Sequence, residues 1–176
     1  MPDCLRTRLL LLHALITACL ALQMSGLAQT PASPSSPVLV VDGNVGTVLS
    51  LTPADLRSLP RTRVEVQENG RALVYDGVLV GEILRRAGVP LGRELRGDAV
   101  AAYVVASAAD GYRVVFSIGE LDPALTHNDI IIADTIDGRP LQEYQGPLRI
   151  VAPNDLRGVR SIRMLTRLQV VRLKSE

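Results

Sequence analysis

The residues best suited to chemistry in this sequence are arginines clustered near its C-terminal end. Five of them fall within residues 149–167, a segment otherwise poor in acidic residues apart from Asp155. Planar guanidinium groups bind phosphate and carboxylate oxygens in pairs, so the cluster predicts a site for a small anion. The same pattern is typical of a solvated charged edge that discourages pairing of a terminal strand with another chain. Both interpretations stay open. The arginines are Arg149, Arg157, Arg160, Arg163 and Arg167.

Other kinds of catalytic chemistry find little support, and no catalytic residue or metal ligand is assigned. His127 is the only histidine after residue 28, and one imidazole is too few for the multi-histidine sites of zinc or iron enzymes. Asp110 and Asp137 each precede a glycine, which turn formation explains without catalysis. The two cysteines, Cys4 and Cys19, lie near the N-terminus, so no thiol is expected in the folded domain.

The first 28 residues are typical of an export signal. Basic residues precede an apolar run over 9–22, which is shorter than the roughly 20 apolar residues of a membrane span. Small residues, Gly26 and Ala28, stand at the minus-three and minus-one positions of a cleavage site. The prediction is a signal peptide at 1–28, a Pro/Ser-rich spacer at 29–37 and one domain at 38–176. The alternative is a lipoprotein signal that leaves Cys19 acylated on a tether.

An exported bacterial domain of this kind is expected in the periplasm or outside the cell, with no membrane span in the mature chain. Residues 29–176 carry equal numbers of basic and acidic side chains, because the signal takes Arg6, Arg8 and Asp3 with it. A balanced charge gives no reason to expect nucleic acid or an anionic membrane surface as a partner.

The elements that must position the arginine cluster are predicted to be short strands with a few short helices. Thr52 and Pro53 are typical of a helix start, and Asn69-Gly70 of a tight hairpin turn. Residues 99–107 are apolar on both faces, which predicts a strand covered on both sides. The pattern indicates an α+β domain with a mixed β-sheet core. The other predicted strands cover 38–41, 45–51, 63–67, 72–75, 112–116, 130–133, 148–152 and 165–173, and the second helix runs from about 80 to 88.

Motifs along residues 110–163 resemble those of a known family. Asp-Gly-x-Pro-Leu at 137–141 is followed by Gly-Pro-Leu-Arg-x-Val-x-Pro at 146–153 and by Gly-x-Arg-Ser-Ile-Arg at 158–163, and Asp-Gly-Tyr stands at 110–112. In order and spacing these motifs resemble the sulfite-oxidase-like molybdopterin-binding domain. Met164 stands where that family usually has Trp. The resemblance implies the sulfite-oxidase-like molybdopterin-binding fold.

The resemblance also implies molybdopterin as the cofactor. The phosphate of that cofactor would contact Arg160, Ser161 and Arg163, and Gly158 would permit close approach of the backbone. These four residues are the predicted cofactor-binding site.

The position of the metal ligand is the point at which this sequence departs from the family. Family enzymes hold molybdenum with a cysteine thiolate, which the resemblance places near residues 66–69. Gln67, Glu68 and Asn69 offer amides and a carboxylate there. No metal ligand is therefore predicted.

Three functions are consistent with these observations. The first is an exported molybdopterin-oxidoreductase-like domain without thiolate-ligated molybdenum, which binds a small anion, a pterin or an extracytoplasmic protein partner. The second is an active molybdopterin-dependent oxidoreductase with a metal ligand other than cysteine. The third is an accessory subunit that docks on a redox partner through the same surface.

Overall fold

Two β-sheets form the framework in the computed structural model, which describes residue 36 and residues 38–173. The predicted signal peptide at 1–28 lies outside the described residues, as does the spacer at 29–37 except for residue 36. Ten strands are found in the described part of the chain. They are β1 (Leu39–Gly43), β2 (Leu49–Leu51), β3 (Thr62–Glu68), β4 (Arg71–Leu79), β5 (Ala102–Ala108), β6 (Arg113–Ser117), β7 (Ile131–Ile136), β8 (Arg139–Pro140), β9 (Arg149–Val151) and β10 (Leu165–Arg172).

The first sheet has the strand order β2-β1-β10-β5-β6. β1 and β10 run parallel, while the other neighbouring strands are antiparallel. β5 alternates between fully and partly buried residues, so one of its faces is covered completely and the other only in part. The expectation of a strand covered on both sides is therefore only half correct, because apolar residues such as Val105 also suit a partly exposed face.

The second sheet has the order β3-β4-β7, and β8 and β9 pair in succession with the far edge of β7. The turn between β3 and β4 consists of Asn69 and Gly70, both at positive φ, as the sequence predicts for a two-residue hairpin. This tight turn places Glu68, the last residue of β3, at the tip of the hairpin. Glycine is required at position 77 of β4 because the backbone of β7 lies close to it. An added Cβ would overlap the backbone oxygen of Ile132 on β7.

Two short helices complete the regular structure among the described residues, together with several single turns of 3-10 helix. Helix α1 (Pro53–Arg57) begins after Thr52, as predicted. Thr52 and Asp55 form a capping box, in which the Thr52 hydroxyl accepts from the backbone of Asp55 and the Asp55 carboxylate accepts from the backbone of Thr52. Helix α2 (Val80–Arg86) follows β4 directly, and its chain reverses at Gly88, which has a φ of +75°. No helix of the described residues is long and apolar enough to cross a membrane.

The main hydrophobic core is shared by both sheets and both helices. It contains Val104 and Leu168 of the first sheet, Ile132 and Ile150 of the second, and Ile83 of α2. The second sheet also buries its opposite face in a smaller cluster around Tyr75, Ile131 and Val151. Neighbouring residues of a strand point to opposite faces, which explains why Ile131 and Ile132 belong to different clusters.

Candidate functional site

A cleft of about 650 Å³ brings together most of the residues that the sequence singles out. The hairpin tip supplies one wall, and the turn between β5 and β6 contributes Asp110 and Tyr112. The segment that follows β9 supplies the opposite wall, and Arg149 of β9 lies at the floor. The remaining lining residues are Gln67, Glu68, Asn69, Leu156, Arg157, Gly158, Val159, Ser161, Ile162 and Arg163. The predicted phosphate segment and the predicted position of the metal ligand therefore share one cleft.

Arg149 is the buried charge at the floor of this cleft. Alternation along β9 directs Ile150 into the main core and Arg149 toward the smaller cluster, beside Tyr75. One Arg149 amino group donates to Glu68 Oε1 at 2.7 Å, and the other donates to the Tyr75 hydroxyl and, at 3.1 Å, to Gln145 Oε1. The guanidinium carbon lies 4.9 Å from the centre of the Tyr75 ring. The buried charge of Arg149 is therefore balanced by the carboxylate of Glu68.

Tyr75 completes this network, and sequence reasoning missed it. Its hydroxyl donates to Glu68 Oε1 at 3.1 Å. Burial raises the pKa of Tyr75 to about 12, while the positive charge of Arg149 opposes that rise and the negative charge of Glu68 adds to it. Tyr75 therefore stays a neutral donor over the physiological range of pH.

Arg157 and Arg163 are the two exposed cations of the cleft. No carboxylate whose side chain the structure describes, a set that leaves out Glu143, forms an ion pair with either of them. The Arg163 guanidinium carbon lies 5.1 Å from the centre of the Tyr144 ring, which holds the charge at the cleft while leaving its donors available. The cleft thus offers two planar cations on one wall, an arrangement that suits an oxyanion.

Ser161 and Gly158 lie where the prediction requires them, in the wall of the cleft. The Ser161 hydroxyl accepts from the backbone of Ala152 at 3.2 Å, so its own proton is available to a ligand. A Cβ added to Gly158 would meet only the Ser161 Cβ, at 4.0 Å. The chain itself therefore does not require glycine at 158, and the open space leaves the backbone accessible. Their role in binding a cofactor stays a prediction.

Of the four predicted cofactor-binding residues, Arg160 alone lies outside the lining of the cleft. Its guanidinium donates to both carboxylate oxygens of Asp155, at 2.9 and 2.7 Å, and to Glu120 at 2.7 Å. It also lies 5.0 Å from the centre of the Phe116 ring. Hydrogen bonds to Asp155 and then Glu120 raise the pKa of Arg160 above its ordinary value. A phosphate contact of Arg160 stays a prediction, and such a phosphate would have to compete with two carboxylates.

Contacts across the cleft hold the wall that follows β9 in place. The Tyr112 hydroxyl donates to the backbone oxygen of Val159 at 3.0 Å. Arg160 ties the same segment to Glu120, whose other oxygen accepts from the backbone of Ser117 at 2.6 Å. The segment over 155–163 is therefore fixed to the first sheet at two points. Tyr112 belongs to the Asp-Gly-Tyr motif, which was the available sequence signal for this contact.

The donor atoms in the cleft do not fit a thiolate-ligated metal. Residues 20–176 contain no cysteine, and Glu68, the only carboxylate at the predicted ligand position, is already shared by Arg149 and Tyr75. No group of three or more His, Cys, Asp and Glu side chains that could hold a metal ion occurs in the part of the chain that the structure describes. His127 is exposed in a loop. The arginine wall, in contrast, fits an anionic group such as a phosphate.

The two sheets and the short helices form an α+β domain with a cleft that is lined in part by arginines. Residues 27–176 match the family described as the oxidoreductase molybdopterin binding domain. The chain therefore belongs to that family, as the motifs predict. Its molybdopterin-binding, oxidoreductase-like character rests on this match.

One solved structure with a similar fold is the crystal structure of the sulfane dehydrogenase SoxCD from Paracoccus pantotrophus. The match has a TM-score of 0.60 and 21% sequence identity, and it covers 78% of this chain and 39% of that chain. At this identity the similarity shows the fold alone, and the chain spans well under half of the SoxCD chain it matches. No curated protein was found that is similar to this chain in sequence. The predicted α+β, sulfite-oxidase-like fold is confirmed.

Proposed function

We propose that this domain binds a small oxyanion, or the phosphate of a pterin, in the cleft without holding molybdenum through a thiolate. The observation that carries the proposal is the pair of exposed arginines in the cleft wall, Arg157 and Arg163, which form no ion pair with any carboxylate whose side chain the structure describes. Unpaired guanidinium groups on a surface cleft are ready to accept an anion without first breaking an internal ion pair.

The position that the family uses for its metal ligand supports the second half of the proposal. Glu68 lies there, and its Oε1 accepts hydrogen bonds from both Arg149 and Tyr75. Recruiting this carboxylate to a metal would leave Arg149, which is only 3% exposed, as a buried cation without a counter-ion. That cost is several kcal/mol, so a metal at this position is disfavoured by the fold itself.

Phosphate binding by matched variants tests the proposal. We expect inorganic phosphate to bind the wild type by isothermal titration calorimetry, and the double variant Arg157→Gln, Arg163→Gln to bind at least about tenfold more weakly, since each charge-assisted contact contributes about 1.5–3 kcal/mol. Arg96→Gln, which removes an exposed arginine outside the cleft, is the matched control. Equal affinities of the double variant and the control would contradict the proposal.

A second candidate is an active molybdopterin-dependent oxidoreductase with a metal ligand other than cysteine. Family membership favours it, and Gln67 and Asn69 supply amide oxygens on the hairpin wall of the same cleft. This candidate predicts that the protein carries molybdenum and pterin in near-equimolar amounts when it is produced in a host that makes the cofactor.

The cellular setting of the first proposal is the extracytoplasmic space, because the first 28 residues are typical of an export signal. There the cleft would meet a free anion, a released pterin or a protein partner that presents one. Fractionation of the native host checks this location: the protein is expected in the periplasmic or secreted fraction, and recovery from the cytoplasm at its full length would contradict it.

A further inference from the structure

We infer that the Glu68 carboxylate is a built-in competitor for the anion, occupying an oxyanion subsite formed by Arg149 at the floor of the cleft. The inference rests on the proposed anion-binding function and names its regulation. Glu68 and Arg149 both line the cleft, and their ion pair is 2.7 Å long. Glu68 is the more exposed partner, with 28% of its side chain accessible against 3% for Arg149.

The geometry of the floor is that of an oxyanion site already filled by a side chain. Two donors from two different strands converge on Glu68 Oε1, namely one amino group of Arg149 and the Tyr75 hydroxyl. The other amino group of Arg149 donates to the Tyr75 oxygen. Gln145 accepts from Arg149 on the other side and holds the guanidinium in place. Removing the Glu68 carboxylate would leave this set of donors facing the cleft.

Arg149 also has an unused donor. Its Nε is buried and has no hydrogen-bond partner among the described residues. Buried polar groups are nearly always paired, so this unpaired Nε shows that the present contacts of Arg149 are incomplete. Glu68 therefore satisfies the charge of Arg149 without satisfying all of its hydrogen bonds.

The position of Glu68 in the chain allows it to leave. It is the last residue of β3, directly before the two-residue turn Asn69-Gly70, and it is not held by a helix or by a second ion pair in the described structure. An arriving oxyanion can replace the carboxylate on Arg149 and Tyr75 while Glu68 turns to solvent. The observed affinity of the cleft would then be the intrinsic affinity reduced by this competition.

The test compares two carboxylates of the same cleft. Glu68→Gln keeps an oxygen that accepts from Arg149 but removes the charge, whereas Asp110→Asn removes an equal charge from a residue whose recorded partner is the backbone of Tyr112. We expect Glu68→Gln to bind inorganic phosphate at least about tenfold more tightly than wild type, and Asp110→Asn to gain less than about threefold, because only the first unmasks a buried cation. Equal gains would overturn the inference, since a general change of charge would then explain both.

A measurement on the wild type covers the case in which Glu68→Gln does not fold. The ¹⁵N resonance of Arg149 Nε is followed while inorganic phosphate is added. A saturable shift of this buried resonance supports displacement of Glu68, and an unchanged resonance at saturating phosphate overturns it.

The anion-binding proposal and the inference about Glu68 fail with different results. If wild type does not bind phosphate but Glu68→Gln does, the proposal that the wild-type cleft binds an anion is wrong, and the inference that Glu68 occupies the Arg149 subsite stands. If wild type binds phosphate through Arg157 and Arg163 but Glu68→Gln gains no more affinity than Asp110→Asn, only the inference about Glu68 and Arg149 is wrong.

Discussion

Removing the buried cation at the floor of the cleft leaves its partners unsatisfied and should destabilise the fold, and Arg149→Met tests this. The change keeps much of the apolar bulk of the side chain but removes the charge that pairs with Glu68 and the donors to Tyr75 and Gln145. Breaking a buried pair by removing one partner costs about 3–5 kcal/mol. Glu68 is 28% exposed and can hydrate afterwards, so the lower end of that range, about 3 kcal/mol, is expected.

Urea denaturation followed by circular dichroism measures this loss, with an exposed pair as the control. Arg167 forms an ion pair with Asp42 at 2.9 Å, and 46% of its side chain is accessible. Arg167→Met is expected to cost less than about 1 kcal/mol, as exposed pairs do. Thermal unfolding should show the same order, with a fall of roughly 10 °C for Arg149→Met. Equal losses in the two variants would refute the view that Arg149 is the buried charge on which this region depends.

Three further outcomes are expected from the same structure. Arg160→Gln should lower the free energy of unfolding by about 1–2 kcal/mol and speed amide hydrogen exchange over residues 155–163, because it breaks the hydrogen bonds to Asp155 and Glu120. Unchanged exchange over these residues would contradict the view that Arg160 holds the segment in place. Wild type should lose stability between about pH 10 and 12, because the folded pKa of Tyr75, about 12, lies above the ordinary value of about 10 and the fold favours the neutral form. The stability of Tyr75→Phe should lack this loss. Parallel profiles of stability against pH for the two proteins would contradict this. Gly77→Ala should destabilise the fold by about 3 kcal/mol, the upper end of the usual cost of overpacking, because its Cβ would overlap β7. Gly158→Ala should fold normally and change only phosphate binding. A Gly77→Ala variant as stable in urea as wild type would refute the close approach.

The local elements of this fold could be predicted because their signals are local. Thr52 and Asp55 stand three residues apart and form the capping box that their types indicate. Asn69 and Gly70 form the hairpin turn for the same reason, since both tolerate positive φ. The motifs over 137–163 predicted the family and the wall of the cleft, because their spacing is set by one continuous stretch of chain.

The contacts that decide the site depend on strand order, and local patterns do not contain it. Tyr75 and Arg149 are 74 residues apart and meet only because β4 and β9 flank the same strand, β7. Arg160 donates to Glu120, 40 residues earlier in the chain, while its predicted phosphate contact stays a prediction. Guanidinium groups suit carboxylates and phosphates equally well, so residue type alone cannot distinguish the two outcomes.

The central claim is that this cleft accepts an anion without a thiolate-held metal. The most direct test is to purify the protein, without refolding, from a host shown to make the molybdenum cofactor, and to measure molybdenum by mass spectrometry and released pterin by fluorescence. The account predicts molybdenum far below one atom per chain, whether or not pterin is released. Near-equimolar molybdenum and pterin would contradict it and would direct attention to an oxygen ligand at Gln67, Glu68 or Asn69.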